Sequence, residues 1–197
     1  MIMVRLEDIK WTDMWLDHPA DKEKKRALLI GDSITRGFLH FVKAEVGENV
    51  LVDAVATSRA VDNEAFETEI FYVMNNAEYD VIHFNNGLHG FHLSAEDYEK
   101  YYEKTVKRII NENPKSKIIL GLSTPITESG DTSTLSPKNK TVEERNEAVL
   151  RIAKRLNLPT NDNYSVILGN SAVRGDDGYH YTQEGYKILA ENTAKYL

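Results

Sequence analysis

The chain has 197 residues, 41% of them hydrophobic and 28% charged, and a formal net charge of -7 at pH 7. This profile is typical of a globular protein with a substantial core, and the negative charge argues against nucleic acid as a partner. The absence of cysteine excludes disulfides and cysteine-ligated metal. The sequence shows neither a signal-peptide pattern nor a membrane span, so we expect a cytoplasmic protein with no membrane partner.

Four short apolar runs predict buried β-strands, because glycine, proline or polar residues follow each run. They cover residues 27–30, 50–55, 79–84 and 117–122. Between and after these runs, apolar residues recur at helical spacing, which predicts four helices. The helices cover residues 63–75, a segment beginning at the near capping box of Ser94 and Asp97, residues 141–156, and a final segment from Thr182.

The alternation of strands and helices predicts an α/β fold, with a parallel sheet covered by helices on both faces in a doubly wound, three-layer α/β/α arrangement. We expect one domain over residues 1–197, on which residues 1–25 pack as an N-terminal extension through Trp11 and Trp15. Ligands in such folds bind beyond the carboxyl ends of the strands. The residues that follow each strand are therefore the candidates for a functional site.

Ser33 follows the first strand, where a further helix is expected to begin. Its hydroxyl is either a helix N-cap or a nucleophile, and a nucleophilic serine needs a base. Asp177 and His180 lie three residues apart in a glycine-containing loop before the last helix. A turn there lets the carboxylate orient the imidazole, which then accepts the serine proton.

The combination of these pieces resembles the GDSL or SGNH hydrolase superfamily. It consists of Gly-Asp-Ser-Ile at 31–34, Asp-x-x-His at 177–180 and Thr-x-Glu-Gly-Tyr at 182–186. The resemblance implies a flavodoxin-like sheet of about five parallel strands in the order 2-1-3-4-5. It also implies that Ser33 is the nucleophile, His180 the general base and Asp177 the residue that orients the base, with no cofactor or metal.

The resemblance further implies an oxyanion hole built from three donors. The first is the backbone N–H of Ser33, and the second is the backbone N–H of a glycine after the second strand. Residues 56–60 contain no glycine, so we expect Ser58 to offer its N–H instead. Arg59 either reaches a charged or sugar-like substrate or is a structural arginine.

The third donor is an asparagine side chain after the third strand. His89 falls at this position, and a neutral imidazole N–H can donate to an oxyanion. A shift in register would instead make Asn86 or Asn85 the donor. His83, His89 and His92 also raise the alternative of a zinc site, but strand alternation points His83 away from His89, and we expect no metal.

Residues 124–140 follow the fourth strand and form a long polar segment, which is either a specificity loop over the site or a surface loop. The sequence as a whole predicts a serine esterase for small esters with short acyl groups, with O-acetylated sugars as the first candidate. The alternatives are an acyltransferase with the same triad and a binding domain without activity. The sequence does not indicate an oligomeric state.

Overall fold

The computed structural model describes residues 9–197 and contains a central sheet of six strands. In chain order, the strands of the whole structure are β1 (Thr12–Trp15), β2 (Lys25–Gly31), β3 (Val50–Thr57), β4 (Val81–Phe84), β5 (Lys117–Gly121), β6 (Thr127–Glu128), β7 (Asp131–Leu135) and β8 (Thr160–Asn161). The central sheet has the order β1-β3-β2-β4-β5-β8, and β6 and β7 form a separate hairpin.

Five strands of the central sheet are parallel, from β3 to β8, and their order is the predicted 2-1-3-4-5. The predicted apolar runs form β2, β3, β4 and β5. The sixth strand, β1, lies antiparallel to β3 at the edge of the sheet and was not predicted. The fifth parallel strand, β8, has only two residues.

Within residues 9–197, five α-helices cover the two faces of the sheet, and this confirms the three-layer α/β/α prediction. They are α1 (Ser33–Val46), α2 (Glu64–Met74), α3 (Ala95–Glu112), α4 (Asn139–Leu156) and α5 (Gln183–Ala194). One apolar cluster joins the sheet to α2, α3 and α4, and a second cluster joins its other face to α1 and α5. Within residues 9–197, no helix has the length and apolarity needed to cross a bilayer.

Short polar side chains begin these helices where the sequence predicts. Asn63 accepts a hydrogen bond from the N–H of Ala65, and Ser94 accepts one from the N–H of Asp97. Thr182 caps α5 in the same way. Such caps satisfy N–H groups that have no partner within the helix.

The N-terminal extension packs on the sheet from Thr12 onward, through β1 and the segment that follows it. Arg26 and Asp53, both almost fully buried, form an ion pair of 2.8 Å. The same Arg26 guanidinium donates to the backbone oxygens of Asp17, His18 and Asp21. The part of the predicted extension before Ile9 lies outside the described residues.

The segment 124–140 contains the β6–β7 hairpin. Thr127 N–H donates to Gly178 O at 2.9 Å, and Gly130 N–H donates to Asp176 O at 2.8 Å. The backbone at Gly178 has φ of +81°, and a Cβ there would lie 2.3 Å from Thr127 O. The hairpin therefore holds the loop that carries Asp177 and His180 in place. The sequence predicts either a specificity loop or a surface loop for this segment, and neither prediction includes this role.

Candidate active site

Ser33 is the first residue of α1, directly beyond the carboxyl end of β2. Asp32 is the N-cap, and its Oδ1 accepts the N–H of Ile34 at 2.9 Å. The serine hydroxyl is thus not used as a cap. A Cβ at Gly31 would lie 2.0 Å from Thr35 Oγ1, so the turn requires glycine.

His180 lies within hydrogen-bond distance of Ser33, although 147 residues separate them in the sequence. The His180 Nε2 and Ser33 Oγ atoms are 2.8 Å apart. On the other side of the ring, Nδ1 lies 2.5 Å from Asp177 Oδ2. The structure therefore brings the predicted serine, histidine and aspartate together in the order that nucleophilic catalysis requires.

Asp177 is held by the backbone of its own turn. Its Oδ1 accepts the N–H groups of Tyr179 at 2.9 Å and His180 at 2.8 Å. Partial burial raises the pKa of this carboxyl, but the two backbone N–H groups and the imidazole outweigh that effect and lower the pKa overall. Asp177 is consequently ionised at neutral pH, and its Oδ2 is placed to accept a hydrogen bond from the Nδ1–H of His180.

Ser33 and His180 open into a cleft of about 460 Å³. Its walls come from the loops that follow β3 and β4, from the start of α4 and from the His180 loop. The lining residues include Ala60, Asp62, Leu88, His89, Gly90, Phe91, His92, Lys138 and Tyr179. This cleft lies at the carboxyl ends of the strands, where the sequence predicts a functional site.

The structure does not place Ser58 in the cleft, contrary to the sequence-based expectation. Ser58 N–H donates to Trp11 O at 3.1 Å, and Ser58 Oγ accepts the N–H of Trp11. The residue is fully buried against the N-terminal segment. Its N–H is therefore occupied and cannot donate to an oxyanion.

Arg59 is likewise turned away from the cleft. Its guanidinium pairs with Glu69 of α2 at 2.5 Å, and its N–H donates to Thr57 Oγ1. The next residue, Ala60, does line the cleft, and its N–H has no acceptor among the described residues. Sequence reasoning missed Ala60 because it lacks both a functional group and the expected glycine.

The structure separates the three candidates for the side-chain donor. His89 lines the cleft together with Ser33. Asn86 is buried, and its amide donates to Arg59 O at 2.8 Å, while Asn85 donates to Gly121 O. Of the three predicted alternatives, only His89 faces the cleft.

Arg145 of α4 shapes the loop that carries His89. Its side chain is 1% exposed and donates to the backbone oxygens of Gly87, His89 and Gly90 at 2.8, 2.8 and 2.6 Å. Burial lowers the pKa of the guanidinium, an effect that the nearby Asp62 carboxylate partly opposes, and Arg145 forms no salt bridge within residues 9–197. The sequence analysis did not identify Arg145 as a functional residue. Its position indicates burial, however, because it lies on the inward stripe of α4, three residues after Val142.

His83 does not line the cleft that contains Ser33 and His180. It is fully buried within β4, where its Nε2 lies 3.1 Å from the amide of Asn161. Desolvation lowers its pKa to about 4, so the ring is neutral. Across the described part of the chain, no group of three potential ligands is arranged to hold a metal ion.

No protein-family model matches the chain, and no curated protein matches it in sequence. Solved structures match its fold. A carbohydrate acetylesterase from Sinorhizobium meliloti aligns with a TM-score of 0.72 and 15% identity, over 87% of this chain and 97% of its own. An aryl esterase from M. smegmatis aligns with a TM-score of 0.73 and 15% identity, over the same shares.

A third structure, a member of the lipolytic G-D-S-L family from Veillonella parvula, aligns with a TM-score of 0.69 and 21% identity, over 87% of this chain and 97% of its own. These similarities span nearly the whole of each chain. The protein therefore shares the fold of these esterases and of this G-D-S-L family member, and that fold is the one its sequence motifs predict.

Proposed function

We propose that this protein is a serine esterase that hydrolyses small esters with short acyl groups. The observation that carries the proposal is the continuous hydrogen-bonded series from Asp177 through His180 to Ser33 Oγ, which opens into the cleft. A serine hydroxyl needs such a base to attack a carbonyl carbon. The sequence motifs and the fold agree with this chemistry.

In the proposed mechanism, His180 Nε2 takes the proton from Ser33 Oγ as the oxygen attacks the ester carbonyl. The ionised Asp177 stabilises the imidazolium that forms. His180 then donates the proton to the departing alcohol, which leaves an acyl group on Ser33. A water molecule, activated by the same histidine, attacks the acyl carbon and releases the acid.

The oxyanion of the tetrahedral intermediate receives hydrogen bonds from Ser33 N–H and Ala60 N–H, and from His89. Ser33 N–H is the first N–H of α1 and has no acceptor within the described residues. The positive end of the α1 dipole favours the developing charge. Each such donor typically stabilises the transition state by about 3–4 kcal/mol.

The proposed substrates are esters with short acyl groups on a carbohydrate. The purely apolar side chains that line the cleft are Ala60, Leu88 and Phe91, and three side chains of this size suit a short acyl group better than a long one. Polar groups form much of the remaining lining. Two structures with the same fold are described as a carbohydrate acetylesterase and an acetyl xylan esterase.

Hydrolysis of p-nitrophenyl acetate, butyrate and octanoate tests the proposal. We expect the acetate to be preferred, and Ser33→Ala to lower kcat/KM by about 10⁴-fold or more. Ser165→Ala, at an exposed serine outside the cleft, is the matched control and should retain full activity. EDTA should have no effect.

Turnover that persists in Ser33→Ala would contradict the proposal, as would turnover that chelation abolishes. A wild-type protein that hydrolyses no ester in this panel or among acetylated glycosides would indicate a binding domain.

A further inference from the structure

A second histidine–carboxylate pair lies in the same cleft as Ser33 and His180. His92 Nε2 is 2.7 Å from Asp62 Oδ2, and each side chain is 24% exposed. Both residues line the cleft. The proposed mechanism uses neither of them.

The pair connects the two loops that form the walls of the cleft. Asp62 lies between β3 and α2, and His92 lies between β4 and α3. The loops are in close contact, since a Cβ at Gly90 would lie 2.4 Å from the Cβ of Ala60. The pair is thus anchored on the segments that hold the proposed oxyanion donors.

The hydrogen bond to Asp62 determines what His92 presents to a ligand. With Nε2–H donated to the carboxylate, the neutral ring leaves Nδ1 as an acceptor. Within residues 9–197, Nδ1 has no hydrogen-bond partner, and Asp62 Oδ1 is buried without one. His92 Nδ1 is thus an unused acceptor on a residue that lines the cleft, and it matches a ligand that brings a hydroxyl donor.

We propose that His92, held by Asp62, accepts a hydrogen bond from a hydroxyl group in the alcohol part of the ester. The preferred substrates are then partly acylated polyols, such as sugars with free hydroxyl groups. Aryl esters and simple alkyl esters lack the donor. This inference rests on the proposed esterase function, and makes His92 a specificity-determining residue with Asp62 as its positioning residue.

A comparison of two acetate esters tests this role. The first is methyl 6-O-acetyl-glucopyranoside, whose sugar keeps free hydroxyl groups, and the second is p-nitrophenyl acetate, which has none. We expect His92→Phe to lower kcat/KM for the glycoside ester by about tenfold more than for p-nitrophenyl acetate, since one hydrogen bond is lost. The loss should appear mainly in KM.

Two further variants separate recognition from loop structure. His92→Gln keeps an amide acceptor and should recover part of the preference, while Asp62→Asn should lower the preference in the same direction as His92→Phe. His18→Phe is the matched control, because His18 and Asp17 form another pair at 2.7 Å outside this cleft. That variant should leave the kcat/KM values of both esters unchanged.

The inference is overturned if His92→Phe lowers kcat/KM for both esters equally, since the pair would then only brace the loops. It is also overturned if the variant changes neither value. In either case, hydrolysis that depends on Ser33 would leave the esterase proposal standing. If the wild-type protein hydrolyses neither ester, both proposals fail together.

Discussion

Replacement of Arg145 by methionine removes the charge that organises the His89 loop while keeping a similar apolar stem. Three backbone oxygens then lose their donor. A hydrogen bond to a charged group contributes about 1.5–3 kcal/mol, so a simple sum for the three is about 5–9 kcal/mol. Removing the cost of burying a guanidinium offsets part of this sum, and we expect a net loss of about 3–5 kcal/mol.

Urea denaturation measures this loss directly. With a slope of about 2 kcal/mol per M, the midpoint should fall by about 2 M. The His89 loop also holds one of the proposed oxyanion donors, so kcat for ester hydrolysis should fall by about 10²-fold under conditions where the variant is folded.

Arg155→Met is the matched control for this prediction. Arg155 lies on the same helix, is 44% exposed and pairs with Glu99 and Glu103 on the surface. Its replacement should cost less than about 1 kcal/mol. If Arg145→Met also lost less than about 1 kcal/mol and kept its activity, Arg145 would not hold the loop and the reasoning would be refuted.

Three further changes test other parts of the structure. The folded-state pKa of His83, about 4, lies below its unfolded value, so the unfolded state binds the proton first as pH falls and stability is lost between about pH 6.5 and pH 4. Urea titrations at several pH values should show a loss of about 3 kcal/mol that is absent from His83→Gln. If the free energy of unfolding fell with pH just as steeply in the variant, the assignment to His83 would be refuted. Gly178→Ala should lower both Tm and kcat, because its Cβ would collide with Thr127 O, and an unchanged kcat would show that the hairpin does not position the His180 loop. Ser58→Ala should keep kcat within about twofold and cost about 1 kcal/mol in denaturation, since its hydroxyl accepts the N–H of Trp11 and does not line the cleft; a large fall in kcat would show that this contact positions the cleft.

The parallel strands could be predicted because each is a continuous apolar run with a clear polar end. The remaining strands carry no such signal. β1 reads Thr-Asp-Met-Trp, β8 has two residues, and the β6–β7 hairpin is mostly exposed and polar. These strands exist through pairing with distant segments, which local patterns do not reveal.

The candidate site likewise contains residues that the sequence identifies and residues that it does not. Ser33, Asp177 and His180 carry functional groups at the ends of predicted elements, so their spacing identifies them. Ser58 was assigned wrongly because its partner, Trp11, is 47 residues away and directly precedes a strand that no pattern indicates. Ala60 contributes only its backbone, which every residue other than proline possesses.

Labelling with a fluorophosphonate, followed by mass spectrometry of the digested protein, shows whether Ser33 is the activated nucleophile. Such a reagent reacts with a serine that a neighbouring base has activated. We expect a single adduct on Ser33, formed at least about 10²-fold more slowly in His180→Ala. An adduct on another residue, or an unlabelled Ser33 in a protein that still hydrolyses esters, would contradict the account.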